Sequence, residues 1–66
     1  MNIQNLKDKM DNKGVSVEML AKEIGIDRST LYRKLSADGK FKISEAQKIR
    51  AALNLTDDEA SNIFFG

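Results

Sequence analysis

The sequence predicts an all-α fold, a compact bundle of five helices. Three observations carry that expectation. Apolar residues recur at spacings of three and four in four separate stretches, the period of a helix rather than a strand. Residues suited to helix N-caps (Ser16, Asp27, Ser44 and Thr56) stand ahead of three of those stretches and open a fifth helix. The 66 residues contain no proline and only four aromatic side chains, a composition that fits helix packing.

Length and composition bound the function before any motif does. Sixty-six residues make one domain, residues 1–66, near the lower limit for folding unaided. Such a chain buries only roughly 60% of its unfolded surface, which leaves no room for an enclosed substrate pocket. With 41% apolar and 32% charged residues, the composition is that of a soluble globular domain. No apolar run approaches the roughly 18 residues of a membrane span. The start, MNIQNLKDKM, is amphipathic and charged throughout, unlike a secretory signal. Cysteine and histidine are both absent, so disulfides, thiolate or imidazole metal ligands and the usual catalytic bases are missing. The serines fall largely at caps, with no base beside them. No catalytic residue, cofactor or metal is expected, and an enzyme is disfavoured. Lack of disulfides is compatible with a cytoplasmic location.

The first helix is expected over residues 2–12, where Ile3, Leu6 and Met10 form one apolar stripe and Gly14 follows as the stop. Ser16 caps the second, with Val15 and Leu20 at staple spacing around it. Residues 17–35, VEMLAKEIGIDRSTLYRKL, organise the rest. Val17, Leu20, Ala21 and Ile24 share a face, and Gly25 can take the left-handed conformation that ends a helix. Asp27 caps the next helix, with Ile26 and Leu31 placed to clasp as a staple. Ala21 is small where two helices would cross. Two short helices around a turn centred on Ile26 make a helix-turn-helix.

The small Ala21, Gly25 four later, Ile26 in the turn and Leu31 beyond it resemble the phage repressor and Cro-type regulators, the xenobiotic-response-element family. GIDRSTLYRKL is similar to a recognition-helix sequence of that family. One position departs. The family commonly carries its next apolar residue three after Leu31, where this chain has Lys34 and places Leu35 one later, a spacing that resembles Fis-like helices. The resemblance covers almost the whole chain. It implies the five-helix repressor-type DNA-binding domain, with helix 28–35 entering the major groove of double-stranded DNA.

Leu31 and Leu35 turned inward leave Arg28, Ser29, Tyr32 and Arg33 outward as candidate base readers. Arg28 and Ser29 lie in the first turn, and Arg33 follows Ser29 by four; arginine forks to guanine O6 and N7. Thr30 and Lys34 are candidates for the DNA backbone. The resemblance adds Ser16, at a helix start expected beside a phosphate. It also adds Lys40 and Lys42, in a loop expected to lie over the backbone, where contacts set affinity and register.

Residues 36–41 form that loop, with Asp38-Gly39 as its turn and Phe41 plugging into the core. The fourth helix is expected from Ser44, with Gln47 completing a capping box, core residues Ala46, Ile49 and Leu53, and Asn54 as its left-handed end. Thr56 and Glu59 repeat the capping box for the fifth, whose Asp57, Asp58 and Glu59 suit the positive end of its dipole. Ile63, Phe64 and Phe65 close the sequence. Three adjacent large apolar residues cannot all face inward, so this cluster is the candidate dimer interface, and the abrupt apolar ending also fits a chain cut short.

Charge distribution supports the same face. Residues 28–42 carry five bases (Arg28, Arg33, Lys34, Lys40, Lys42) against one acid, Asp38, a net of +4, whereas the whole chain is only +1. Residues 55–66 carry three acids and no base, a net of −3. A basic middle with an acidic tail suits an anionic polymer. The resemblance thus implies a transcriptional regulator, of phage or prophage type, that occupies an operator. The terminal apolar cluster adds the expectation of a weak homodimer through the last helix, and the lack of a long apolar run that of no membrane. The alternatives are a DNA-binding subunit of another system (an antitoxin, a recombination directionality factor) or a protein-interaction module that kept the fold.

Overall fold

All five helices form. The computed structural model describes residues 1–36 and 40–65 and places α1 at Ile3–Asn12, α2 at Val17–Ile24, α3 at Arg28–Ser36, α4 at Ile43–Leu53 and α5 at Asp57–Phe64. No strand occurs among the described residues. The expected Asp38-Gly39 turn lies outside them.

Most boundaries follow local chemistry. The Asn2 side chain accepts the Asn5 N–H at 3.0 Å, which starts α1 one residue later than expected. Ser16 accepts from Met19 N–H at 3.1 Å at the head of α2. Gly25, at φ +76°, then turns the chain; its N–H and that of Ile26 both donate to the Ala21 carbonyl, at 2.9 and 3.1 Å. Asn54 ends α4 in the left-handed region at φ 51°, as its side chain tolerates. Thr56 and Glu59 exchange hydrogen bonds with each other's backbone N–H at the head of α5.

The start of α4 is a correction. Neither Ser44 nor Gln47 caps it. Lys42 is the N-cap residue, and the carboxylate of Glu45 accepts the Lys42 N–H at 2.8 Å. Glu45 is also within 3.3 Å of the Lys34 ammonium, so two donors hold its carboxylate where Ser44 could offer only a neutral hydroxyl. Ser44 is left exposed in the first turn, and Ala46 is half-buried while Ile49 and Leu53 take the core.

α2 lies at the centre, packed on both α3 and α4, while α1 pairs with α5. Leu6, Leu20, Leu31, Ile49, Leu53 and Ile63 are fully buried, drawing every helix into one cluster. Each such side chain contributes about 1.5–3 kcal/mol relative to exposure. Ala21 is buried, and Phe41, Ile26 and Val15 pack half-buried on the cluster as expected. The Asn2 N–H donates to the Ile63 carbonyl at 2.6 Å and ties the start of α1 to α5. The three terminal apolar residues divide. Ile63 is 1% exposed and belongs to the core, Phe64 is half-buried, and Phe65 is 87% exposed. Ile63 therefore leaves the dimer-interface set, because nothing can reach it without opening the bundle.

Candidate nucleic-acid interface

α3 presents a polar outer face because its apolar residues are spent inward. With Leu31 and Leu35 buried, Arg28, Ser29, Tyr32 and Arg33 are all exposed. The Arg33 guanidinium donates to the Thr30 hydroxyl at 3.3 Å, one turn back on the same helix. That contact fans the side chain along the helix and occupies Thr30. Arg28 lies 4.0 Å from Glu18 of α2, with both side chains about two-thirds exposed, so the pair contributes little and leaves the guanidinium accessible.

Ser16 and Tyr32, far apart in sequence, line one shallow depression of about 260 Å³ between α1, the head of α2 and α3. Lys7 and Asp11 of α1 put one charge of each sign on its rim, and Val15 is among its apolar lining. The ring of Tyr32 is half exposed over this depression, and the Ser36 hydroxyl donates to the Tyr32 carbonyl at 2.7 Å in the last turn of α3. The Ser16 side chain is engaged by its own helix, which fixes the open N-terminal amides of α2 beside the depression.

Lys34 is placed differently from the other lysines. It sits three residues after Leu31, the inner side of α3, and is half-buried. Its ammonium donates to the Lys40 carbonyl at 3.0 Å and to Glu45 at 3.3 Å, and stands 5.5 Å from the centroid of the Phe41 ring. The sequence reading placed it on the DNA backbone; the structure gives its charge three partners within the protein. Lys40 and Lys42, on either side of Phe41, are exposed. Glu45 is the residue that sequence reasoning missed. It is only 9% exposed, the one buried charged side chain among the described residues. Its hydrogen bond from the Lys42 N–H, then that from Lys34, hold its carboxyl below the usual carboxylate range against the opposing pull of burial. Its local signal is one half of a capping box, a glutamate at the third helical position that accepts the N–H of the residue three before it.

On the other side of the 40–42 segment, Phe41, Ile43, Phe64 and Phe65 border an open groove of about 490 Å³, flanked by Lys40 and Arg50. Arg50 is paired with Asp57. No group of three or more acids, histidines or cysteines able to hold a metal occurs among the described residues. No helix among them is long and apolar enough to cross a membrane.

The geometry of α2, Gly25 and α3 can now be set beside known proteins. The model of the helix-turn-helix family HTH_3, the Cro/C1 type, matches residues 6–59, which include all of α2, α3 and α4. The chain belongs to this family. HTH_3 proteins are DNA-binding regulators rather than an enzyme family. Neither a curated protein nor a solved structure matches the chain. Membership gives the outer face of α3 its meaning, since the second helix of this motif is the one that enters a major groove.

Proposed function

We propose that residues 1–66 act as one domain, a sequence-specific transcriptional regulator of the phage or prophage repressor and Cro kind, working in the cytoplasm without catalysis. The observation that carries this reading is the exposed set Arg28, Ser29 and Arg33 on the outer face of α3, inside a family-matched helix-turn-helix. In this reading Arg33 and Arg28 reach base edges, Ser29 adds a shorter polar contact, and Tyr32 lays its ring on a sugar or a thymine methyl. Ser16, with the open amides of α2, faces one phosphate, while Lys40 and Lys42 face others. Thr30 meets the backbone through its hydroxyl when Arg33 swings to a base. Lys34 is left out of this set, because its ammonium is held by Glu45 and the Lys40 carbonyl.

Selection of a preferred duplex from a random pool, followed by titration of variants on it and on random duplex, tests the assignment. Arg33→Ala is expected to cost about 1–3 kcal/mol on the selected duplex and to relax preference at one base pair. Lys42→Ala weakens both duplexes nearly alike and makes the salt slope shallower by about one per site. A Lys42→Ala that changes the ratio of the two affinities tenfold, with Arg33→Ala leaving it untouched, reverses the roles. A pool that yields no preferred duplex contradicts sequence-specific reading altogether.

One domain of this size spans about one half-site, so useful specificity calls for two copies related by a dyad. Phe64 and Phe65, with Ile43 across the groove, are the apolar surface for that pairing. Sedimentation equilibrium on the free protein and on the selected duplex is expected to show a weak dimer that completes on DNA. A strict one-to-one complex on a palindromic duplex removes the pairing.

A further inference from the structure

Lys34 and Glu45 form a link that the assigned DNA contacts do not use. Lys34 belongs to the last turns of α3, and Glu45 to the first turn of α4. Between them lies the segment that carries Lys40 and Lys42. One ammonium grips the carbonyl of Lys40, and one carboxylate takes the N–H of Lys42, so both ends of residues 40–42 are tied to the same ion pair. Phe41, in the middle of the segment, is half-buried on the core and lies beneath that ammonium. The pair is largely shielded, with 22% and 11% of the two side chains exposed, so it is screened far less than a surface bridge.

We infer that Glu45 is a positioning residue for DNA binding: through Lys34 it holds residues 40–42 at a fixed place against α3, so that the base-reading face and the phosphate-facing lysines engage one duplex together. Without the clamp, Lys40 and Lys42 keep their charge but lose their fixed distance from Arg33, and each phosphate contact must first order the segment. Glu45 itself touches no DNA. It is an acid set against Lys34 and Lys42 of the basic stretch 28–42, where its own field opposes a polyanion, so its presence there is explained by geometry rather than by attraction. This inference rests on the DNA-binding reading above.

The sign of one substitution separates positioning from charge. Glu45→Gln removes a negative charge and keeps an oxygen able to accept the Lys42 N–H; pure electrostatics would tighten DNA binding. The clamp instead requires binding to the selected duplex to weaken about tenfold, as interaction energies between coupled groups allow. Asp58→Asn, an equal neutralisation in the first turn of α5, is the control and leaves binding unchanged or slightly tighter. A cycle with Lys42→Ala reads the mechanism. In the wild type Lys42→Ala weakens binding; in the Glu45→Gln background it has little further effect, because the contact is already lost. A role confined to stability would move the melting temperature while leaving the two substitutions additive in binding by the folded protein. Should Glu45→Gln melt below the assay temperature, Lys34→Met breaks the same link while keeping the apolar stem, and the cycle is read in that background. Binding by Glu45→Gln as tight as Asp58→Asn, additivity in the cycle, or a wild-type Lys42→Ala without effect each overturns the inference while the DNA-binding reading stands. Failure of the wild type to bind any duplex overturns that reading instead.

Discussion

The heads of α4 and α5 are built from the same device and differ in what the N-cap residue can return. In each, a glutamate at the third helical position accepts the N–H of the N-cap residue, and a lysine from another helix closes on its carboxylate. At α5 the pair is Glu59 with Lys9 of α1; at α4 it is Glu45 with Lys34 of α3. The difference lies in the N-cap itself. Thr56 returns a hydroxyl to the Glu59 N–H at 3.2 Å, whereas Lys42 has no acceptor to return. Lysine is also the wrong charge for the positive end of a helix dipole. The α5 head, away from α3, follows the best local chemistry. The α4 head, beside α3, carries a cation that local chemistry disfavours, and a local rule broken without local gain is where function is expected.

The sharpest way to test that contrast is to supply the missing cap at α4 and remove the one at α5. Lys42→Thr is expected to stabilise the protein by about 1 kcal/mol and to weaken duplex binding, whereas Thr56→Ala destabilises by about 1 kcal/mol and leaves binding by the folded protein alone. In a domain of this size each corresponds to about 4–8 °C in Tm, in opposite directions, readable by circular dichroism. A Lys42→Thr that is less stable than wild type would show that Lys42 serves the fold, and the comparison would collapse.

Acid titration probes the carboxylates that the two heads share. The Lys9 ammonium, and then the Thr56 N–H, lower the Glu59 carboxyl from 4.5 to about 2. A carboxyl depressed in the folded state adds stability that is complete above its unfolded value and is lost as pH falls through the folded one. Tm is therefore expected to fall between about pH 5 and pH 2, and Glu59→Gln to flatten that fall. Glu45, lowered in the same direction, adds to the slope that remains. An unchanged acid limb in Glu59→Gln would contradict the Lys9 pairing. The smallest expected effect is that of Lys9→Met, a slight fall in Tm at neutral pH read by circular dichroism, because its partly exposed pair is screened.

Much of this was legible in the sequence wherever a residue's role is local. Ser16, Gly25, Asn54 and the Thr56 box mark helix ends through hydrogen bonds to neighbours a few residues away. The buried stripe of Leu20, Ile24, Leu31 and Leu35 follows from helical period alone. What was not legible depends on partners distant in the chain. Lys34 reads as a surface cation until Glu45 and the Lys40 carbonyl arrive beside it. Ile63 could not be told from Phe65 until α1 packed on α5 and covered one of them. The head of α4 was misplaced because Ser44 is the better cap in isolation, while Lys42 holds the position only through Glu45. The outward residues of α3 follow from period, but what they touch rests on the helix-turn-helix match.

The central claim is that α3 and residues 40–42 form the working face, while the packed pair α1 and α5 lies outside it. A titration of amide-labelled protein with a short duplex, followed by NMR at low salt, tests that division directly. The largest shifts are expected at residues 28–33, at Lys40 and Lys42 and at the head of α2, with Lys9, Glu59 and their neighbours nearly still. Shifts concentrated on α1 and α5, or none at any residue, would contradict the account.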